Sequence, residues 1–148
     1  MNLRRAIRMS DAELLAFLDE EPTVICASHG PRGWPHLMPL WYSVRDGEIW
    51  CWTYAKSQKV RNLERDPRAT LQVEAGETYL QLRGAMFECE VVIHRDPQVV
   101  LDFGLELAER YPEPTDTPEA LRKMAAKRVV LQFVEKRRVT WDHRKLAA

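Results

Sequence analysis

Residues 36–67 read HLMPLWYSVRDGEIWCWTYAKSQKVRNLERDP. Its first nine residues, 36–44, are mostly apolar and aromatic and lie between turn signals, which is the composition of a strand. Asp46-Gly47 is a two-residue hairpin dipeptide, because both residue types accept positive φ, and it leads into a second strand over 48–54. Ser57 then reads as a helix N-cap, Val60 and Leu63 fall on one helical face, and Pro67 follows the stop. This helix is mischarged. Lys56, Lys59 and Arg61 gather at its N-terminus, where the macrodipole is already positive, while Glu64 and Asp66 sit near its C-terminus. An anion bound at the N-terminus reverses the mismatch. An ordinary solvated helix with an Arg61 to Glu64 contact is the alternative, since each misplaced cation costs only about 0.3 to 1 kcal/mol.

Upstream, Ser10 and Glu13 match a capping box ahead of the apolar stripe Leu14, Leu15, Phe17 and Leu18, which predicts a short amphipathic helix. A strand over 23–29 and the turn GPRGWP form a hairpin with 36–44, and with 48–54 a three-stranded meander. Downstream, strands over 69–75 and 78–94 meet at Gly76-Glu77, and Gly84 marks a bend or bulge in the longer one. Residues 97–111 show helical spacing through Val100, Phe103, Leu107 and Tyr111. A loop with three prolines, 112–118, precedes a further helix over 119–127. The last strand spans 128–142, with Lys136-Arg137-Arg138 read as a solvated hairpin turn. Six strands with few crossovers predict a mainly β, α+β fold, a small closed antiparallel barrel with helices packed outside.

The bulk composition narrows the function. With 148 residues and 45% hydrophobic content, the chain fits a single domain, 1–148. Basic and acidic residues number 22 each, so no global field draws nucleic acid or an anionic membrane, and any anion site is local. Cys26, Cys51 and Cys89 lie far apart in apolar surroundings and read as reduced core thiols, which with the lack of a membrane-length apolar run or a signal-type h-region predicts a soluble cytoplasmic protein. Cys26 and His29 make a lone C-x-x-H without further ligands at metal-site spacing, so no metal is expected. Neither G-x-S-x-G nor G-x-G-x-x-G occurs, which leaves a serine hydrolase and a Rossmann nicotinamide site without support.

Taken in order, PHLMPLWY, the DG turn, TYAKSQKVRNL and DPR resemble the split β-barrel flavin-binding superfamily of pyridoxamine 5'-phosphate oxidase-like proteins. Within it, the chain is most similar to the deazaflavin-dependent reductases that use coenzyme F420. The likeness runs from about Val24 to Gly84 and returns weakly at VTWDHRKL, 139–146. It implies a six-stranded split barrel with flanking helices, with the cofactor phosphate near the start of the mischarged helix. Lys56 and Lys59 would supply charge, Ser57 a hydroxyl, and Arg61 a cation for the phosphate or for an acidic tail. Thr53 and Tyr54 would bond the ribityl chain or phosphate, and the backbone of Met38, Pro39 and Leu40 would run along the ring. Pro39 suits this role, since a proline removes one ladder donor and belongs at an edge or facing something other than a partner strand.

The resemblance further implies a homodimer with its cofactor sites at the interface, and hydride transfer between reduced F420 and a small conjugated substrate. An FMN-dependent oxidoreductase or a non-catalytic flavin-sequestering protein is the alternative. The cofactor carries the chemistry, so no catalytic residue is assigned; Tyr42, Tyr54, His36 or water could supply a proton. Trp41, Trp50 and Trp52 read as core or dimer contacts. His143, Arg144 and Lys145 form either a frayed tail or a segment docked near the cofactor. The ending WDHRKLAA lacks the arginine-rich segment of the vitamin B6 oxidases, so that activity is not expected. On this reading Lys59→Ala weakens cofactor binding yet leaves the unliganded protein unchanged or slightly more stable, because a surface cation opposing the dipole is removed.

Overall fold

The computed structural model describes residues 2–147. Its strands are β1 (Val24–His29), β2 (Pro35–Leu40), β3 (Ser43–Arg45), β4 (Glu48–Tyr54), β5 (Arg68–Ala75), β6 (Arg83–His94) and β7 (Arg128–Asp142). The helices are α1 (Leu3–Ala6), α2 (Asp11–Glu20), α3 (Gln58–Arg65), α4 (Pro97–Arg110) and α5 (Pro118–Ala125). All ladders are antiparallel, in the order β2-β1-β5-β6-β7-β4-β3. Strands β2 and β3, consecutive in the chain, are therefore the two edges of the sheet. Only Trp41 and Tyr42 join them, and each residue reaches at most about 3.6 Å, so the sheet must curl until its edges nearly meet. The result is the expected mainly β split barrel, with seven strands rather than six.

The extra strand comes from a break within 36–44, and the three-stranded meander is not formed: β2 pairs with β1, and β3 with β4. Pro35 and Pro39 confine β2 to an edge. Tyr42 turns fully inward, its hydroxyl 2.7 and 2.6 Å from the Leu18 and Glu21 carbonyl oxygens at the end of α2. The Tyr42 N–H donates to the Tyr111 hydroxyl at 3.3 Å, so the crossover is held from both sides. The Asp46-Gly47 turn has φ of 50° and 78°, as the dipeptide predicts.

The barrel interior is filled from alternate positions, including Cys51 of β4, Leu71 and Val73 of β5, Phe87 of β6 and Leu131 of β7, with Phe17 and Leu18 of α2. Val130 faces the other way and joins Val100, Phe103 and Leu107 of α4 in a second cluster, which seats α4 and α5 on the outer side of β7. Trp52 also faces outward, across Gly104, where an added Cβ would lie 2.4 Å from the indole.

Two expectations along β6 and β7 are corrected. Residues 79–81 form a 3-10 turn and β6 begins at Arg83; its register shift lies at Glu88/Cys89, opposite an extra Lys136, not at Gly84. Gly84 stays in register, with the Trp141 ring flush on its Cα. Lys136, Arg137 and Arg138 are not a turn but the middle of the continuous strand β7, beside Glu90, Glu88 and Glu135 respectively. Opposite charges across or along the strand explain why a basic triplet sits there. The C-terminal segment is docked: the His143 N–H bonds the Leu82 carbonyl at 2.8 Å, and Lys145 Nζ bonds the Arg8 carbonyl and Glu13.

Candidate functional site

Helix α3 starts where the sequence places it, with Ser57 as N-cap in extended geometry. The Ser57 hydroxyl, however, makes no capping bond; its Oγ is buried with no partner among the described residues. Lys56 and Arg61 are exposed, and among the described residues neither makes an ion pair. The Arg61 to Glu64 contact does not form, because Glu64 pairs with Arg95 at 2.9 Å. Two uncompensated cations and an unsatisfied buried hydroxyl thus stand at the positive end of a helix. Those are the donors an anion uses.

Lys59 is different. It is 6% exposed, and its Nζ donates to Thr53 Oγ1 at 2.7 Å. Burial pulls its ammonium below the usual 10.5. Lys59, Val60, Asn62 and Leu63 form the buried face of α3, so Lys59 is not a surface cation opposing the dipole, and the ground for expecting its removal to be harmless is gone. Asn62, fully buried, donates to Ser28 Oγ at 3.1 Å, and Arg65 donates to the His29 carbonyl at 2.8 Å. These bonds lock α3 onto β1.

Just before α3, a cavity of about 380 Å³ is lined by Thr23, Pro39, Leu40, Trp41, Trp52, Thr53, Tyr54 and Arg128. It brings together four nominated residues, Pro39, Leu40, Thr53 and Tyr54. Met38 lies exposed on β2 outside this wall, Lys56 and Ser57 follow in a turn closed by the Ser57 N–H on the Tyr54 carbonyl at 3.0 Å, and Arg61 lies one turn into α3. Thr53 accepts from Lys59, which leaves its own O–H to donate elsewhere. The Arg128 guanidinium lies 4.2 Å from the Tyr54 ring centroid and 5.0 Å from that of Trp52, and it donates to the Met124 carbonyl.

Thr23 and Arg128 were not nominated from the sequence. Arg128 arrives through the β4–β7 ladder, opposite Tyr54, and only that register signals it. Trp41 is half exposed and stacks on Tyr111 at 4.5 Å with an interplanar angle of 3°, and Trp50 stacks on His94. Among the proton donors considered, Tyr42 is excluded by position: burial pushes its phenol up, and its hydroxyl is held between helix-end carbonyls. Tyr54 lines the cavity, and the Nδ1 of His36 is buried without a partner among the described residues. The thiols of Cys26 and Cys89 are pushed up to about 12 by burial, and that of Cys51 well above its usual value, so all three are inert.

Compared with protein families, residues 10–141 match pyridoxamine 5'-phosphate oxidase. The chain belongs to this family. Among solved structures, a conserved hypothetical protein, Rv2991 from Mycobacterium tuberculosis, is 42% identical, with a TM-score of 0.91 over 100% of this chain and 94% of that one. An F420 reductase superposes with a TM-score of 0.69 at 23% identity, over 83% of this chain and 93% of that one. HutZ, the heme storage protein from Vibrio cholerae, superposes at 0.70 with 15% identity, over 87% and 93%. The latter two likenesses are of fold alone. A comparison with curated proteins finds no match. Among the described residues no helix is long and apolar enough to cross a membrane.

Proposed function

We propose that the protein is an oxidoreductase that moves a hydride between reduced deazaflavin, coenzyme F420, and a small conjugated substrate, working as a homodimer with its sites at the subunit interface. The observation that carries this reading is the uncompensated N-terminus of α3, with the orphaned Ser57 hydroxyl, directly following an aromatic-walled cavity. The residues present fit a phosphorylated flavin-type cofactor. When bound, that cofactor supplies the hydride. Ser57, Lys56 and Arg61 hold the phosphate, and the Thr53 O–H, fixed by Lys59, donates to the chain linking phosphate and ring. Because β2 is an edge strand, the outward main-chain groups of its Met38–Leu40 stretch are left for the ring.

The test is a pair of binding titrations with F420 and FMN. Ser57→Ala, Lys56→Ala and Arg61→Ala should each weaken F420 binding by about 1.5 to 3 kcal/mol, the range for a hydrogen bond to a charged group. Ser57→Ala should leave unliganded stability unchanged or raise it by up to about 1 kcal/mol, since its buried hydroxyl bonds nothing there. Wild-type affinity in all three variants would remove the anion seat. Tight FMN binding with indifference to F420 would transfer the reading to an FMN-dependent oxidoreductase, and F420 binding without hydride transfer to conjugated acceptors would make the protein a carrier.

The dimer rests on the apolar surface that runs along the β2 edge from the β1–β2 turn to the cavity. Trp34, Leu37, Met38, Trp41 and Tyr54 are all exposed, and a second copy of the chain would cover them. Light scattering should give twice the 17.3 kDa chain mass. Leu37→Glu with Met38→Glu should yield a folded monomer with lowered cofactor affinity, and a wild-type monomer at micromolar concentration would end the shared-site proposal.

A further inference from the structure

A second cavity, of about 410 Å³, shares Trp41, Trp52 and Arg128 with the first. Its far wall is apolar, built by Leu107 of α4 and by Leu121 and Met124 of α5. Gly104 sets its shape: with no Cβ there, the Trp52 indole closes on α4 and forms a wall common to both compartments. Glu113 and Asp116, from the proline-stiffened loop 112–118, complete the lining. The Asp116 N–H bonds the Glu113 carbonyl at 3.1 Å, which fixes both in one turn. Neither carboxylate makes an ion pair among the described residues. Arg128, the only cation in the wall among the described residues, faces two aromatic rings and donates to the Met124 carbonyl.

We infer that this second cavity binds the hydride acceptor, and that it selects flat, conjugated, apolar rings that are neutral or cationic. The indole and aliphatic walls take the ring, and the adjoining compartment puts it next to the cofactor. Glu113, exposed, and Asp116, half-buried, place negative charge at the rim of the cavity and disfavour a ligand carboxylate there. The acceptor role rests on the proposed function. Ring binding and charge selection do not.

The experiment compares 2-(hydroxymethyl)anthraquinone with anthraquinone-2-carboxylate, two rings of one shape that differ in charge. Binding to the cofactor-free full chain is followed by quenching of tryptophan fluorescence. The alcohol should bind about fivefold more tightly than the carboxylate, the factor that corresponds to the roughly 1 kcal/mol between unit charges about 4 Å apart in water. Glu113→Gln with Asp116→Asn, both on the surface loop, should abolish that preference. Ala108 and Ala120 also line this cavity and not the first; Ala120→Phe, which fills it, should weaken alcohol binding at least about tenfold and leave F420 affinity unchanged, and Ala108→Leu serves the same end should the phenylalanine variant fail to fold. Equal binding of the two rings, an undiminished preference in the double variant, or indifference to the filled cavity would overturn the inference. If F420 fails to bind while the rings behave as stated, the proposed function falls and the site stands. If F420 binds and the rings do not, the inference alone falls.

Discussion

Replacing Gly84 by alanine will destabilise the protein by about 3 kcal/mol, although it adds a single methyl group, because this is overpacking at its upper range. An added Cβ would lie 2.1 and 2.4 Å from two ring atoms of Trp141. Neither partner can give way easily, since Gly84 is paired between Glu74 of β5 and Trp141 of β7 in the middle of the sheet. Urea denaturation measures the loss. Adding Trp141→Leu should recover part of it, a non-additivity that a mere backbone preference for glycine would not produce. Full additivity of the two changes would locate the strain elsewhere.

The second large effect is at Lys59. Lys59→Ala should lower unliganded stability by about 2 to 4 kcal/mol, since it deletes a buried stem and leaves Thr53 Oγ1 without its donor. Lys59→Met keeps the stem and removes the charge, so it should cost far less, or stabilise, as replacements of buried charges often do. The pH dependence has a definite sign. Burial depresses the folded-state pKa of Lys59 below 10.5, so between that lowered value and 10.5 the unfolded chain binds more protons than the folded one. Wild-type stability should therefore rise relative to Lys59→Met as pH climbs through this window, and the difference should be flat below it. A stability gap between the two proteins that widens in favour of Lys59→Met on raising the pH would show that Lys59 is not buried as a charge. Both variants should bind F420 more weakly, through the loss of order at Thr53.

What the sequence made legible is what short-range chemistry decides. The Asp46-Gly47 turn follows from two residues that accept positive φ, and α3 from a cap, an apolar face and a terminating proline. The mischarge at its start survives in the structure at Lys56 and Arg61. The inward turn of Lys59 was hidden because a charged residue at a helix N-terminus is ordinarily read as solvated, and only the β4 partner, Thr53, makes its burial tolerable. The break at Trp41-Tyr42 has no signal in the sequence for a similar reason: nothing local distinguishes a strand that continues from one that changes sheet edge, and the deciding bonds come from Leu18, Glu21 and Tyr111. The same holds for the register shift at Glu88/Cys89 and for Arg128 at the cavity. Each is a property of two strands at once.

The two-residue join at Trp41-Tyr42 also orders the folding of the chain. The β1–β2 and β3–β4 pairs are local hairpins, able to form within microseconds. The partner that seals β4 into the sheet is β7, and the pair Trp52↔Val130 spans 130 − 52 = 78 residues. That contact is rewarded only after a long loop has been closed. On contact order alone the β4–β7 seam is expected to close after the two hairpins, and the compartments that share Trp52 and Arg128 take shape only with that seam.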